Sequence, residues 1–258
     1  MAYENIIYEA RGPLGLITLN RPEKLNAVSL ATLAEIHSAL TIAESDPKIR
    51  VIGLTGSGTK AFASGSDLNE VEHRDIKKAL EPIVQGLAER MERSAKPSIA
   101  AINGFCFGGG LELALGCDIR IGTTTAKFAT PEGKLGIIPG GGATQRLPRI
   151  VGRAMGMEML LMGETIDAER AYQIGLITRL VEPEELMPML ESMAAHIAGF
   201  APLVPQFMKS MVNYGMEAGQ HAGLALEKFA QAALCETQDK KEGLRAFLEK
   251  RPPNWSGR

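Results

Sequence analysis

Strand-like and helix-like spacings of apolar residues alternate along the first half of the chain and then give way to helices. IIYEARGPLGLITLN reads as two short strands on either side of a Gly-Pro turn, the second carrying the Ile, Leu and Thr of a β element. RPEKLNAVS has no apolar period and predicts a loop. In LATLAEIHSALTIAESD the apolar residues return at helical spacing. IRVIGLTGSG is a compact apolar run that ends in a Gly/Ser turn, the pattern of a buried strand. KAFASGSDLNEV follows with a short apolar piece, a glycine turn and a helix start. After a polar, mostly helical stretch through Arg93, KPSIAAINGFCFGGG repeats the order strand, turn, glycines, helix. DIRIGTTTAKFATPE predicts two more short strands.

From about residue 143 the pattern is mainly helical. GRAMGMEMLLMG is an apolar helix between glycines, and DAERAYQIG is an amphipathic helix stopped by Gly175. PEELMPMLESMAAHIAGF predicts a helix starting after Pro183, and the last helices are expected over 202–217, 221–238 and 240–250. Strands alternating with helices, followed by a run of helices, make the fold class α/β with a helical C-terminal part. The ββα rhythm recurs without a strict sequence repeat.

One stretch breaks the ordinary amphipathic rule. In GFCFGGGLELALGCD, three glycines (Gly108, Gly109, Gly110) lead to Glu112, which has Leu111, Leu113, Ala114 and Leu115 as neighbours. A helix that is apolar all round is buried, and a carboxylate is rarely buried without a partner or a task. Two readings stand at this point. Glu112 is either a buried acid satisfied by backbone N–H groups or a working acid or base. Glu132, twenty residues on in FATPEGKLGIIPGGGATQRL, sits after Pro131 in a loop-like setting. Taken alone it reads as a surface glutamate. Paired with Glu112, it could supply the second half of an acid–base couple.

The glycine motifs narrow the chemistry. There is no GxGxxG after a strand, GSGTK lacks the remainder of a phosphate loop, and no GxSxG nucleophile elbow occurs. ASGSDL and FGGGLEL remain. Each follows a predicted strand and opens a helix, where backbone N–H groups are free and the dipole is positive. Two such donors converging would form an oxyanion hole, and glycine would let a ligand approach the backbone. Each could equally be a tight turn before a buried helix; it is the pairing, each beside a polar or acidic group, that favours the site.

Composition sharpens this picture mainly by exclusion. The chain has 258 residues and a formal net charge of −2, which gives no polyanion-binding surface and argues against nucleic acid. Cys106, Cys117 and Cys235 form no CxxC pair, so a disulfide framework is not expected, and Cys106 and Cys117 read as core filler. His37, His73, His196 and His221 have no metal-ligand spacing, so no metal is expected. The start, MAYENIIYEARG, is acidic where a targeting segment would be basic, and no apolar run is long enough to span a bilayer. The expected location is the cytoplasm.

With these residues in view, the sequence resembles the enoyl-CoA hydratase/isomerase (crotonase) superfamily over essentially its whole length. The resemblance rests on LITLNRPEKLNAVS, KAFASGSDL, KPSIAAINGFCFGGGLELALGCDIRI, AKFATPEGKLGIIPGGGATQRLPRIVG and EGLRAFLEKR. It implies a spiral of ββα turns over 1–199 holding a CoA-thioester site. Residues 200–258 would then be a helical region that covers the site and assembles trimers or dimers of trimers. It implies an acyl-CoA substrate and no cofactor beyond the coenzyme A of the substrate. The amides of Ser66 and Gly109 match the family's oxyanion hole. Glu112 and Glu132 match the two glutamates with which its hydratases add water to a 2-enoyl-CoA, Glu112 as base and Glu132 as acid. Lys24, Leu25, Asp67 and Leu68 match positions along the CoA channel, and Phe247 and Lys250 match C-terminal residues that reach a neighbouring subunit's site. Three departures are visible. Ser66 stands where the family often has Ala or Gly, Asn69 where many hydratases carry Lys, and PGGGATQRL where PGAGGTQRL is more common. Other reactions on the same scaffold, double-bond isomerisation or hydration of a cyclic or branched enoyl-CoA, are the nearest alternatives. A non-catalytic acyl-CoA or RNA binding protein is the remote one.

Overall fold

The computed structural model describes residues 3–258. Strands β1 (Ile6–Arg11) and β2 (Leu14–Leu19) form an antiparallel hairpin, turned at Gly12 with φ of 57°. Helix α1 (Leu30–Ser45) starts at Ser29, whose hydroxyl accepts the Thr32 N–H, a cap worth about 1 kcal/mol. Next come β3 (Val51–Gly56), β4 (Ala61–Ala63), and the helices α2 (Leu68–Glu72), α3 (Ile76–Ala79) and α4 (Ile83–Arg93). The next turn of the spiral is β5 (Ser98–Ile102), β6 (Phe105–Phe107) and α5 (Gly109–Leu115). It is followed by β7 (Ile119–Thr123), β8 (Lys127–Ala129), a 3₁₀ turn at Pro131–Leu135, α6 (Ala143–Val151) and α7 (Arg153–Met162). Then come β9 (Ile166–Asp167), α8 (Ala168–Gln173), β10 (Arg179–Val181) and α9 (Leu186–Ala198). Helices α10 (Leu203–Ala218), α11 (Gln220–Cys235) and α12 (Gln238–Leu248) close the chain, within a few residues of the expected limits.

After the β1–β2 hairpin, both strands of which lie in one sheet, each later pair of strands sends one strand to each of two sheets. The first sheet has the order β1-β2-β3-β5-β7-β10, parallel from β2 onward, and the second has the order β4-β6-β8-β9. The inner strands β2, β3, β5 and β7 of the first sheet are buried on both faces. Leu14, Leu16, Val51, Ile99, Ala101 and Ile121 pack under Leu186, Leu190 and Ala194 of α9. The alternate residues Ile17, Leu19, Ile52, Leu54, Ala100 and Ile102 join the main core with α1 and α5. This two-sided burial explains why β3 and β5 read as continuous apolar runs instead of alternating ones. Cys106 and Cys117 lie in that main core, and burial pushes the Cys117 thiol up to about 12, which leaves it protonated and unreactive.

The C-terminal part departs from the sequence expectation in two details. Strands β9 and β10 interrupt the helices after 143; at two and three residues they are too short to show a period. Pro183 opens a separate 3₁₀ turn, Pro183–Glu185, closed by a reciprocal capping box between Glu182 and Glu185, and α9 begins only at Leu186. Among the described residues no helix is long and apolar enough to cross a membrane.

Candidate active site

Three parallel strands of the second sheet end along one edge, and each is followed by a candidate residue. Strand β4 leads to Ser66, β6 to Gly109 and Glu112, and β8 to Glu132. Phe107 pairs with Ala129 and, across a bulge in β4, Ala63 pairs with Cys106, so the three carboxyl ends lie within about one residue of each other. Gly108 N–H donates to Ala129 O at 3.0 Å and ties the second and third ends together. The carboxyl edge of parallel strands is where an α/β fold leaves room for a ligand.

The backbone at Ser66 is fixed by a parallel bridge to Val28. Val28 N–H donates to Gly65 O at 2.8 Å, and Asp67 N–H donates to Val28 O at 2.9 Å. Alternation along an extended chain then turns the Ser66 N–H away from Val28. It faces Gly109, the first residue of α5. A Cβ placed on Gly109 would stand 3.3 Å from Ser66 N and 2.7 Å from Ser66 Oγ, so any side chain there would collide with the Ser66 hydroxyl. Among the described residues neither the Ser66 nor the Gly109 amide has a hydrogen-bond partner. Both donors are therefore available to one oxygen.

Every residue of α5 is buried, and Glu112 is 3% exposed. Its Oε1 accepts the Gly141 N–H at 2.7 Å and the Ala143 N–H at 3.0 Å. Gly141 must lack a side chain: a Cβ there would lie 2.6 Å from Glu112 Oε2 and 2.5 Å from Val84 Cγ1. The loop is braced from behind by Arg146. Its Nη1 donates to Gly141 O at 2.9 Å, and its Nε and Nη2 grip both Glu92 carboxylate oxygens at 2.7 Å. Burial raises the Glu112 pKa, while the Ala143 and Gly141 amides and the Arg146 charge oppose the rise. These donors favour the ionised form.

Glu132 is placed differently. It lies in the 3₁₀ turn after β8 and is buried, not on the surface. Its Oε1 stands 3.0 Å from where a Cβ on Gly108, the residue before Gly109, would be. Its Oε2 is buried without any hydrogen-bond partner in the protein. Burial, with the Glu112 charge adding to it, pushes its pKa up to about 7. The site thus holds two carboxyl groups in unequal surroundings: burial raises both, at Glu112 against opposing N–H donors and the Arg146 charge, at Glu132 up to about 7.

The other expected contacts fall into four groups. Lys24 and Leu25 belong to a turn that lies against β4: Ser64 N–H donates to Leu25 O at 3.0 Å, two residues before Ser66. Leu68 is exposed at the mouth, 60% accessible, beside the Ser66 loop. The Asp67 side chain is engaged within the protein, paired with Arg21 at 3.1 Å and capping α2 through the Asn69 N–H. Phe247 and Lys250 lie at the end of α12, where Phe247 is 82% exposed and Lys250 adopts φ of 54°.

Sequence reasoning did not single out Arg21, Asn26, Glu92, Arg146 or Val84. Asn26, buried with φ of 56°, donates to Ser57 O and Ala61 O and receives the Arg21 N–H, which anchors the Lys24 turn to β4. The signal was present in RPEKLNA and GGGATQR, but it lay in partners 30 or more residues away. A cavity of about 540 Å³ opens elsewhere, on the α9 side of the first sheet beyond Leu186 and Met187. Its lining includes Thr18, Thr55, Thr123 and Arg11 but no carboxylate, so the acid pair is assigned to the strand-end site.

The enoyl-CoA hydratase/isomerase family model matches residues 9–258. The chain belongs to that family. It is 42% identical over 257 residues to the crotonyl-CoA hydratase of Syntrophomonas wolfei, covering 99% of each chain. It is 38% identical over 253 residues to the short-chain-enoyl-CoA hydratase of Clostridium acetobutylicum, covering 97% of each. The solved enoyl-CoA hydratase of Bacillus anthracis superposes with a TM-score of 0.95 at 37% identity, over 99% of this chain and 100% of that one. The crotonase fold expected from the sequence is the fold observed. Within this family scaffold the ββα spiral accounts for why Ser66, Gly109 and the two glutamates, distant in sequence, share one edge.

Proposed function

We propose that the chain is an enoyl-CoA hydratase, a lyase that reversibly adds water syn across the double bond of a 2-enoyl-CoA thioester. The observation that carries this reading is the meeting of two unpaired amides and two unequally placed buried carboxyls at one sheet edge. The thioester oxygen binds between the Ser66 and Gly109 amides. Glu112 takes a proton from water as its oxygen bonds to carbon 3, and the double-bond electrons move toward the thioester oxygen. The resulting enolate is stabilised by the two amides, each worth about 3 kcal/mol in the transition state. Glu132 then delivers its proton to carbon 2, giving 3-hydroxyacyl-CoA. The reaction is redox-neutral, and the thioester supplies its own electron sink, so every step is written with protein groups and water.

Residues 1–199 form the catalytic spiral in this reading, and 200–258 the assembling region. Lys24, Leu25 and Leu68 line the CoA path, with Lys24 toward a phosphate, and Asp67 acts by fixing the Ser66 backbone. Phe247 and Lys250 serve a neighbouring copy. The apolar surface of the last helices supports a trimer or dimer of trimers: Met208, Val212, Met216, Phe229, Phe247 and Leu248 are all more than 60% exposed. Light scattering tests the assembly, and a particle of 27.7 kDa would refute it. Three free cysteines, two of them buried, favour a reducing compartment, and we place the protein in the cytoplasm.

The test of activity is to mix the purified protein with crotonyl-CoA and follow the ultraviolet absorbance of the conjugated thioester. Rapid loss of absorbance is the expected result. Tight binding of the thioester without any loss would refute hydration of this substrate and point to another reaction on the same scaffold.

A further inference from the structure

The Ser66 hydroxyl lies at the floor of the site and has no part in the two-amide scheme. Three observations give it one. Its Oγ is nearer to the Cβ side of Gly109 than Ser66 N is, 2.7 Å against 3.3 Å from the same Cβ position, so hydroxyl and Ser66 amide both face that glycine. Among the described residues it has no hydrogen-bond partner, and Ser66 is only partly buried, so the hydroxyl is free to meet an incoming group. Its backbone is held on both sides by the Val28 bridge and, through Asp67, by Arg21. A half-buried hydroxyl without a protein acceptor, on a backbone that does not move, is preorganised to donate to something that arrives.

Resting on the hydratase reading, we propose that the Ser66 hydroxyl is a third oxyanion-hole donor, a catalytic group that hydrogen-bonds the thioester oxygen alongside the Ser66 and Gly109 amides. No proton is transferred. The O–H rotates about a single bond toward the oxygen, and the bond strengthens as the double-bond electrons reach that oxygen. The gain therefore falls mainly on the transition state and appears in kcat more than in KM. An Ala or Gly at this position keeps the amide and loses the dipole.

The test compares wild type with Ser66→Ala and with the near-isosteric Ser66→Cys. One readout is steady-state hydration of crotonyl-CoA. The other is the infrared carbonyl stretch of bound butyryl-CoA labelled at its carbonyl carbon, a saturated thioester that cannot be hydrated. Expected for Ser66→Ala is a fall in kcat of about tenfold or more, less than an essential oxyanion donor because two remain, with KM changed little. The bound carbonyl stretch should return toward its free, higher wavenumber, and Ser66→Cys should fall between the two. Unchanged kcat and unchanged stretch in Ser66→Ala would overturn the proposal, as would a fall in kcat with an unchanged stretch, which marks a packing role. If wild type fails to hydrate crotonyl-CoA but Ser66→Ala still moves the stretch, the third donor stands and the hydratase reading falls.

Discussion

Glu132→Gln is expected to lower kcat/KM for crotonyl-CoA hydration about 10³-fold, the scale of losing a positioned general acid. Glu132 Oε2 is buried without a protein partner, and burial together with the Glu112 charge pushes the carboxyl up to about 7. Below that pH it carries the proton that carbon 2 needs. Wild-type kcat/KM for hydration should therefore decline as pH rises through about 7, and this limb should be absent from the residual activity of the Gln variant. A limb unchanged by the substitution would remove Glu132 from the acid role.

The same environment has a stability consequence with a definite sign. The folded pKa lies above the ordinary value of 4.5, so the native state holds a proton that the unfolded chain releases. The native state is therefore favoured at low pH and loses stability as pH rises from about 4.5 toward 7. Gln titrates in neither state. The Tm advantage of Glu132→Gln over wild type should grow between pH 4 and pH 8, the inverse of its activity, as expected where a site keeps a costly group for function. Thermal melts at both pH values check this.

Glu112→Gln is the second large expected loss, about 10³-fold in kcat, with the fold intact. A Gln oxygen at this position can still accept the Gly141 and Ala143 N–H groups that hold the side chain at 2.7 and 3.0 Å. What it cannot do is take a proton from water. Arg146→Gln touches no reacting atom and should give a smaller loss of the same sign. It frees the Gly141 carbonyl and removes the charge that holds the Glu112 pKa down, so the acidic limb of the pH profile should move upward. Isomerisation of a 3-enoyl-CoA provides the discriminating assay. If Glu112→Gln preserved a rapid isomerase activity while wild type showed little hydration, the two-carboxylate hydratase reading would fail.

Much of the fold and the identity of the acids were legible in the sequence, because they depend on local pattern. The apolar runs of β3 and β5, the helical spacing of α1 and the glycines before α5 are properties of short windows, and windows show their period. An acid inside an apolar helix announces itself in the same way, and Glu112 is as buried as LELAL implies. Strands β9 and β10 were invisible because two or three residues have no period, and their extended shape comes from pairing with β8 and β7. Glu132 looked like a loop residue for the same reason: nothing near it in sequence buries it.

The sequence by itself determined the ββα order, the presence of two acids and two glycine turns that free backbone amides, and the family to which the chain belongs. Only the tertiary structure decided what surrounds each acid. Parallel pairing of β4, β6 and β8 set Ser66, Gly109 and Glu132 on one edge across more than 60 residues of chain. The loop at 141–143 brought its amides to Glu112 and left Glu132 with none. Two chemically identical carboxyls acquired different surroundings, from neighbours that are distant in sequence and adjacent only in the folded chain.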